Sequence, residues 1–245
     1  MRILVSNDDG IDAPGIARLA EAARRLSDDV WVVAPEKKHT AAGPSLTIAQ
    51  PITMEKRGDR RFSCSGRPAD CMVAAFAWLF ENDRKPDLVL AGINDGRNVA
   101  EDLAYSGTLG IAREATFWGV PAIGFSRVKN PEITDADEAW LSGFIGRLWE
   151  DRAQWAQQGH WLSVNLPTLL PAEVRQPVIG RDKIASKAEV VESDGDRTVI
   201  IVPRGRPHTS VPGDENSMID AGFVTVNRLN WFGGTRLEDG FVAGF

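Results

Sequence analysis

Cysteine is scarce in this chain: Cys64 and Cys71 are the only two in 245 residues. A disulfide framework needs more, so the sequence predicts a reducing, cytoplasmic setting. No Cys-x-x-Cys or zinc spacing is present, and His39, His160 and His208 are not spaced as a metal cluster. Those histidines are expected in loops or at the surface. No apolar run approaches the ~20 residues that a spanning helix needs. The opening MRILVSNDDG lacks the charged-then-apolar pattern of a leader peptide, so no membrane association is expected. Basic charge is also in deficit. The formal net charge is -6 and the pI is near 5.2, which argues against a nucleic-acid duplex as partner. One small anionic ligand stays compatible, because a local site overcomes a weak global field. With no G-x-S-x-G in the chain, a serine hydrolase elbow is disfavoured.

What is present reads as a globular α/β protein. Hydrophobic residues make up 43% and charged residues 25%, enough apolar material for a sizeable core. The length suits one large domain, or one domain with a small appendage. Arg2 to Ser6 is a short apolar run stopped by Asn7-Asp8-Asp9-Gly10, and Ile16, Leu19, Ala20, Ala23 and Leu26 follow at helical spacing. Val30 to Ala34 is apolar again, up to Pro35. Strand, helix, strand in this order is a βαβ unit and favours a parallel sheet.

Residues 36–50 read as a long loop and Ile52 to Ser63 as a hairpin. Pro68 suits the first turn of a helix carrying Met72, Val73, Phe76, Leu79 and Phe80. Asp87 to Ala91 reads as a strand, 92–105 as a second long polar loop, and Ser106 as a helix start. Val120 to Phe125 and Leu162 to Leu166 are further strands; between them Thr134-Asp135-Ala136-Asp137 resembles a capping box for a helix toward Trp155. Beyond Pro167, Glu189–Val191, Thr198–Val202 and Phe223–Val226 look like strands without intervening helices. The predicted architecture is a Rossmann-like, doubly wound, mostly parallel sheet over residues 1–170. A β-rich appendage over 171–245 completes it.

Three polar loops fall at predicted strand ends, where doubly wound sheets bind ligands. Asp8 and Asp9 repel unless positive charge lies between them, and Mg²⁺ or Mn²⁺ would supply it through oxygen ligands. The plainer alternative has one Asp capping a turn and the other facing water. Asn94 offers a neutral oxygen to a metal, and Asn98 suits orienting a phosphate or a water; both also fit an ordinary Asn/Gly turn. Ser106, Gly107 and Thr108 open a helix, where unpaired amides and the dipole favour phosphate, though Ser106 also fits a plain N-cap. Taken together these residues describe a metal, a neutral ligand and an anion cradle, a set suited to metal-assisted phosphate ester hydrolysis. Cys71 lies on an apolar helix stripe and reads as a buried, inert thiol. The tryptophans read mostly as core or interface material.

These motifs resemble one family. MRILVSNDDGIDAPGI is similar to the opening signature of the SurE family, the stationary-phase survival proteins. The likeness continues through Val33-Ala34-Pro35, Ser45-Leu46-Thr47 and Gly66-Arg67-Pro68-Ala69-Asp70-Cys71. It is strong across residues 91–115 and weak at Ile219-Asp220-Ala221-Gly222-Phe223-Val224. It implies a Rossmann-like domain whose smaller β-rich part serves oligomerisation, as a homodimer or homotetramer. It also implies a divalent-metal phosphatase acting on nucleoside 5′-monophosphates, and in some members on 3′-monophosphates and short polyphosphate. The metal ligands it implies are Asp8, Asp9 and Asn94, with Thr40 standing where the family carries serine. Its phosphate-binding residues correspond to Asn98, Ser106, Gly107 and Thr108, and Asp8 or Asp9 would accept a proton. His39 and Ala41 depart from the family's usual basic residue and glycine, and the tail after Trp231 is short.

Two other readings compete. A covalent aspartyl phosphatase would need Asp-x-Asp after the first strand, and Asn7-Asp8-Asp9 has the wrong spacing. A non-catalytic receiver-like module, binding phosphate or metal, would need a phospho-accepting Asp after a later strand. No convincing candidate is visible.

Overall fold

A computed structural model describes residues 1–181, 188–202, 211–231 and 233. Its centre is a nine-stranded sheet of order β3-β4-β2-β1-β5-β6-β7-β11-β8. The strands are β1 (Arg2–Ser6), β2 (Asp29–Pro35), β3 (Met54–Gly58), β4 (Arg61–Cys64), β5 (Leu88–Asp95), β6 (Ala122–Arg127), β7 (His160–Leu166), β8 (Val174–Arg175) and β11 (Val224–Asn230). Pairing is parallel throughout the middle; β3 on β4 and β11 on β7 are the antiparallel exceptions. The remaining strands, β9 (Glu189–Ser193) and β10 (Thr198–Ile201), form a separate hairpin.

Strand periodicity explains the layering. Ile3 and Val5 enter one core, against Ile16 and Leu19 of helix α1 (Pro14–Arg24) and Leu141 and Ile145 of α5 (Ala136–Glu150). Leu4, one residue out of step, faces the other core. There it joins Cys71 and Met72 of α2 (Pro68–Ala74) and Leu109 and Ile111 of α4 (Gly107–Phe117). Helices on both faces make the doubly wound α/β fold that the βαβ pattern predicts. Pro14 and Pro68 each open a helix, where a missing N–H costs nothing.

Strand order reverses at β1. From β1 the chain moves outward through β2 and β4, then returns to β5 on the other side. A crevice therefore opens beyond the carboxyl ends of β1 and β5, the usual ligand position in such sheets.

Two expectations need correction. Residues 92–105 are not one loop: β5 runs on to Asp95, and a short helix, α3, covers Asp102–Tyr105. Polar Asn94 and Asp95 masked this extension, but Asn94 and Asp95 still pair with Ser126 and Arg127 of β6 after a register shift. Nor does the chain divide cleanly at residue 170. Strands β8 and β11 lie in the main sheet, and helix α6 (Glu215–Asp220) precedes β11. Only β9 and β10 stand outside that sheet among the described strands. The tail beyond Gly233 lies outside the described residues.

Arg127, at the end of β6, ties down the following loop. Its guanidinium pairs with Asp137 and donates to the carbonyls of Pro167, at 3.1 Å, and Thr168, at 2.9 Å. Asp137 in turn accepts from the Thr134 hydroxyl at 3.0 Å, so the foreseen helix start is built around a buried ion pair. Breaking such a pair from one side strands a buried charge. We expect Asp137→Ala to cost about 3–5 kcal/mol, read as a lower midpoint in urea unfolding. Parent-like stability would mean that the carbonyls alone satisfy Arg127.

Candidate active site

The loop after β1 is shaped by its own side chains. Asn7, fully buried, donates from Nδ2 to the Gly10 carbonyl at 2.9 Å and accepts from the Gly10 N–H at 3.2 Å. Gly10 has φ 107, which glycine adopts without a steric penalty. That clasp carries Asp8 and Asp9 into the crevice.

Asp8 is 6% exposed and sits against the start of α4. Thr108 donates its hydroxyl to Asp8 Oδ1 at 2.5 Å. A Cβ on Gly107 would stand 2.7 Å from Asp8 Cβ and 2.8 Å from Oδ2, so only glycine admits the carboxylate here. Burial pushes the Asp8 carboxyl up to about 6 from its ordinary 3.8; the Thr108 bond opposes this and the Asp9 charge adds to it.

Asp9 is handled differently. Its Oδ1 is 2.5 Å from Lys38 Nζ, and its Oδ2 accepts from the Asp95 N–H at 3.1 Å. Lys38 also stands 4.0 Å from Asp95 Oδ2. The ammonium supplies the positive charge that two adjacent carboxylates need. Lys38 rides on the 36–50 loop, which is anchored at three points. The His39 N–H donates to the Asp8 carbonyl at 2.7 Å and the Gly43 N–H to the Tyr105 carbonyl at 2.9 Å. Thr47 bonds Asp70 through both its N–H, at 2.9 Å, and its hydroxyl, at 2.6 Å.

These elements surround a cavity of about 950 Å³. Asp8, Asp9, Thr40, Asn94, Asn98 and Ser106 all line it. Asn94 donates from Nδ2 to the Gly96 carbonyl at 2.7 Å, which leaves its amide oxygen as the atom for a cation. Asn98 is buried in a polar network: its Nδ2 donates to Ser126 Oγ at 2.8 Å, and Asn165 brackets its backbone at 2.8 and 3.0 Å. Ser106 caps α4, accepting from the Leu109 N–H at 3.1 Å, and keeps its own proton to donate.

Two expected phosphate contacts are not in that lining. Gly107 and Thr108 stand outside it, and the hydroxyl of fully buried Thr108 donates to Asp8. Conversely, Lys38, Asp95, Arg97, Lys129 and Asp220 join the wall without having been singled out. Arg97 is held by Asn216 at 3.0 Å and Asp220 at 2.8 Å, so α6 closes one side of the site. The Ile219–Val224 likeness was the one sequence signal for that closure.

Among the described residues no three His, Cys, Asp or Glu side chains form a metal cluster. The candidate donors lining the cavity are two carboxylates, an amide oxygen and a hydroxyl, all hard oxygens and chemically suited to Mg²⁺ or Mn²⁺. The family model described as "Survival protein SurE" matches residues 3–189.

The chain belongs to the SurE family.

Its relatives include the 5′-nucleotidase SurE of Paramagnetospirillum magneticum, 39% identical over 236 residues, covering 94% of this chain and 89% of the relative. The 5′-nucleotidase SurE of Caulobacter vibrioides is 43% identical over 187 residues, covering 74% and 70%. Among solved structures, the SurE protein from Aquifex aeolicus superposes with a TM-score of 0.76 at 28% identity, covering 100% of this chain and 97% of that one. A mostly parallel sheet flanked by helices is common to both. No helix among the described residues of this SurE chain is long and apolar enough to cross a membrane.

The Asp8 environment yields a pH test. Between pH 3.8 and about 6 the folded protein holds a proton that the unfolded chain has released. Stability therefore falls as pH rises through that window, and ionised Asp8 is a cost above it. In metal-free protein, Asp8→Asn should raise stability by on the order of 1–3 kcal/mol near neutral pH. The gain should vanish toward about pH 4. Thermal melting across pH checks this, and a variant less stable at neutral pH would make Asp8 a structural cap.

Proposed function

We infer that this SurE protein is a divalent-metal-dependent phosphatase that hydrolyses nucleoside 5′-monophosphates to nucleoside and phosphate. The observation that carries the reading is one cavity lined by Asp8, Asp9, Asn94 and Thr40 together with the Ser106 end of α4. The 5′-nucleotidase names of its relatives support the substrate class.

Asp8, Asp9, Asn94 and Thr40 would hold the metal. A bound divalent ion supplies charge neutralisation at the phosphoryl oxygens and lowers the pKa of water. The chain's own groups do the rest. The Ser106 hydroxyl, at the positive end of α4, would bind the phosphate. Asn98, held by Ser126 and Asn165, retains one amide hydrogen to orient a phosphate oxygen or a water. Asp8 or Asp9, both lining the cavity, would accept the proton of the attacking water. Thr108 and Gly107 act through Asp8, by fixing its position. Uncatalysed phosphate monoester hydrolysis is slow enough that accelerations up to ~10²¹ are known, so preorganised charge of this kind has much to supply.

Nucleoside 3′-monophosphates and short polyphosphate fit the same chemistry as further substrates. A homodimer or homotetramer is supported by the β9–β10 hairpin, where Val190, Val191, Ile200 and Ile201 are half or more exposed.

Phosphate release from a panel of nucleotides and simple phosphoesters, with each metal in turn, tests the reading. Chelation should abolish release and Mg²⁺ or Mn²⁺ should restore it. Turnover that survives exhaustive chelation would remove the metal, and absence of turnover on every phosphoester would remove the enzyme. A companion assay addresses Thr40: Thr40→Ser should keep metal affinity and Thr40→Val should lose it. Equal behaviour of the two would take Thr40 out of the ligand set.

A further inference from the structure

Lys38 stands out among the cations of this site because its partner is a residue that the metal also needs. Its Nζ lies 2.5 Å from Asp9 Oδ1 and 4.0 Å from Asp95 Oδ2. Asp9 is held in place, with 8% of its side chain exposed, whereas 48% of the Lys38 side chain is exposed. Asp9 is also fixed from the other side by the Asp95 N–H. The flexible member of the pair is therefore the lysine. The guanidinium on the same wall is already engaged, since Arg97 is bound to Asn216 and Asp220.

A carboxylate oxygen bonded to an ammonium at this distance holds a second cation less tightly, because the two positive charges repel and draw on the same lone pairs. The two cations therefore compete for Asp9. Lys38 sits on a loop that lines the cavity together with Thr40 and Ala41, and its four-carbon stem gives the ammonium several ångströms of reach. Once off Asp9, it stays in a chamber that would hold the doubly charged phosphate.

We propose that Lys38 is a tethered cation that competes with a divalent metal for Asp9 and, when released from Asp9, binds the phosphate of the substrate. Loading of the site then exchanges one carboxylate–ammonium pair for a metal–carboxylate and an ammonium–phosphate contact. The chain thereby keeps its acidic pair compensated both before and after loading. This proposal rests on the metallo-phosphatase reading above.

The consequence is a pair of effects with opposite signs, which a purely structural lysine would not produce. Mn²⁺ is titrated calorimetrically into the metal-free parent, Lys38→Gln and Lys38→Arg, at constant ionic strength. Inhibition by inorganic phosphate is then measured for each at saturating Mn²⁺. Lys38→Gln should bind Mn²⁺ about fivefold more tightly, because a competing ion pair has gone. The same variant should bind phosphate at least roughly tenfold more weakly, because a charged hydrogen bond has gone. Lys38→Arg keeps the charge and should stay near the parent in both measurements. Equal Mn²⁺ affinity in parent and Lys38→Gln would overturn the competition. Unchanged phosphate inhibition would overturn the transfer to substrate. Absence of Mn²⁺ uptake by parent and variants alike would instead overturn the metal reading on which both steps stand.

Discussion

The arrangement depends on a carboxylate buried where a strand ends and a helix begins. Asp8 is almost without solvent, yet it is surrounded by groups that favour its charge: the Thr108 hydroxyl, the positive end of α4, and, through Asp9, the Lys38 ammonium. Burial still wins in part, and holds the carboxyl near 6. A group left in that balance responds strongly to any added cation. Packing makes the balance possible, because Gly107 lets α4 close to within contact of Asp8. A side chain there would push the acid out into water and return it to ordinary behaviour.

The remaining walls are assembled by the sheet. Reversal of strand order at β1 opens the crevice, and the ends of β2, β5 and β6 each send a polar segment into it. The last wall comes from far along the chain. Helix α6 is fastened by Arg97 and by Glu215, which is 1% exposed and accepts from the Ala100 and Gly180 N–H groups at 3.2 and 2.9 Å. Burial raises the Glu215 carboxyl, while the two amide bonds pull it down. Polar clasps of this kind fix a position more narrowly than apolar packing does.

Local signals were enough for much of this. The strand runs at Arg2–Ser6 and Val30–Ala34, the helix stripe from Ile16, and Pro68 as a helix opener all correspond to elements of the fold. They are periodic and short-range, which is what a sequence expresses directly. Six of the eight site residues named from the sequence, Asp8, Asp9, Thr40, Asn94, Asn98 and Ser106, line one cavity, because each lies at or beyond the carboxyl end of a strand or opens a helix.

Other features had no local signature. The extension of β5 through Asn94 and Asp95 is made by pairing with β6, so polar composition hid it. Strand β11 joins β7 and not a separate appendage because the edge of the main sheet offered it a partner some sixty residues earlier in the chain. Thr108 reaches Asp8 because α4 packs its first turn onto the β1 loop. Lys38 reaches Asp9 because the 36–50 loop folds back over it. By itself, the sequence determined which residue types stand at strand ends and helix starts, since backbone periodicity and turn chemistry are local. Tertiary structure alone decided which of them touch one another, since burial, close helix approach and loop anchoring all act between segments distant in the chain.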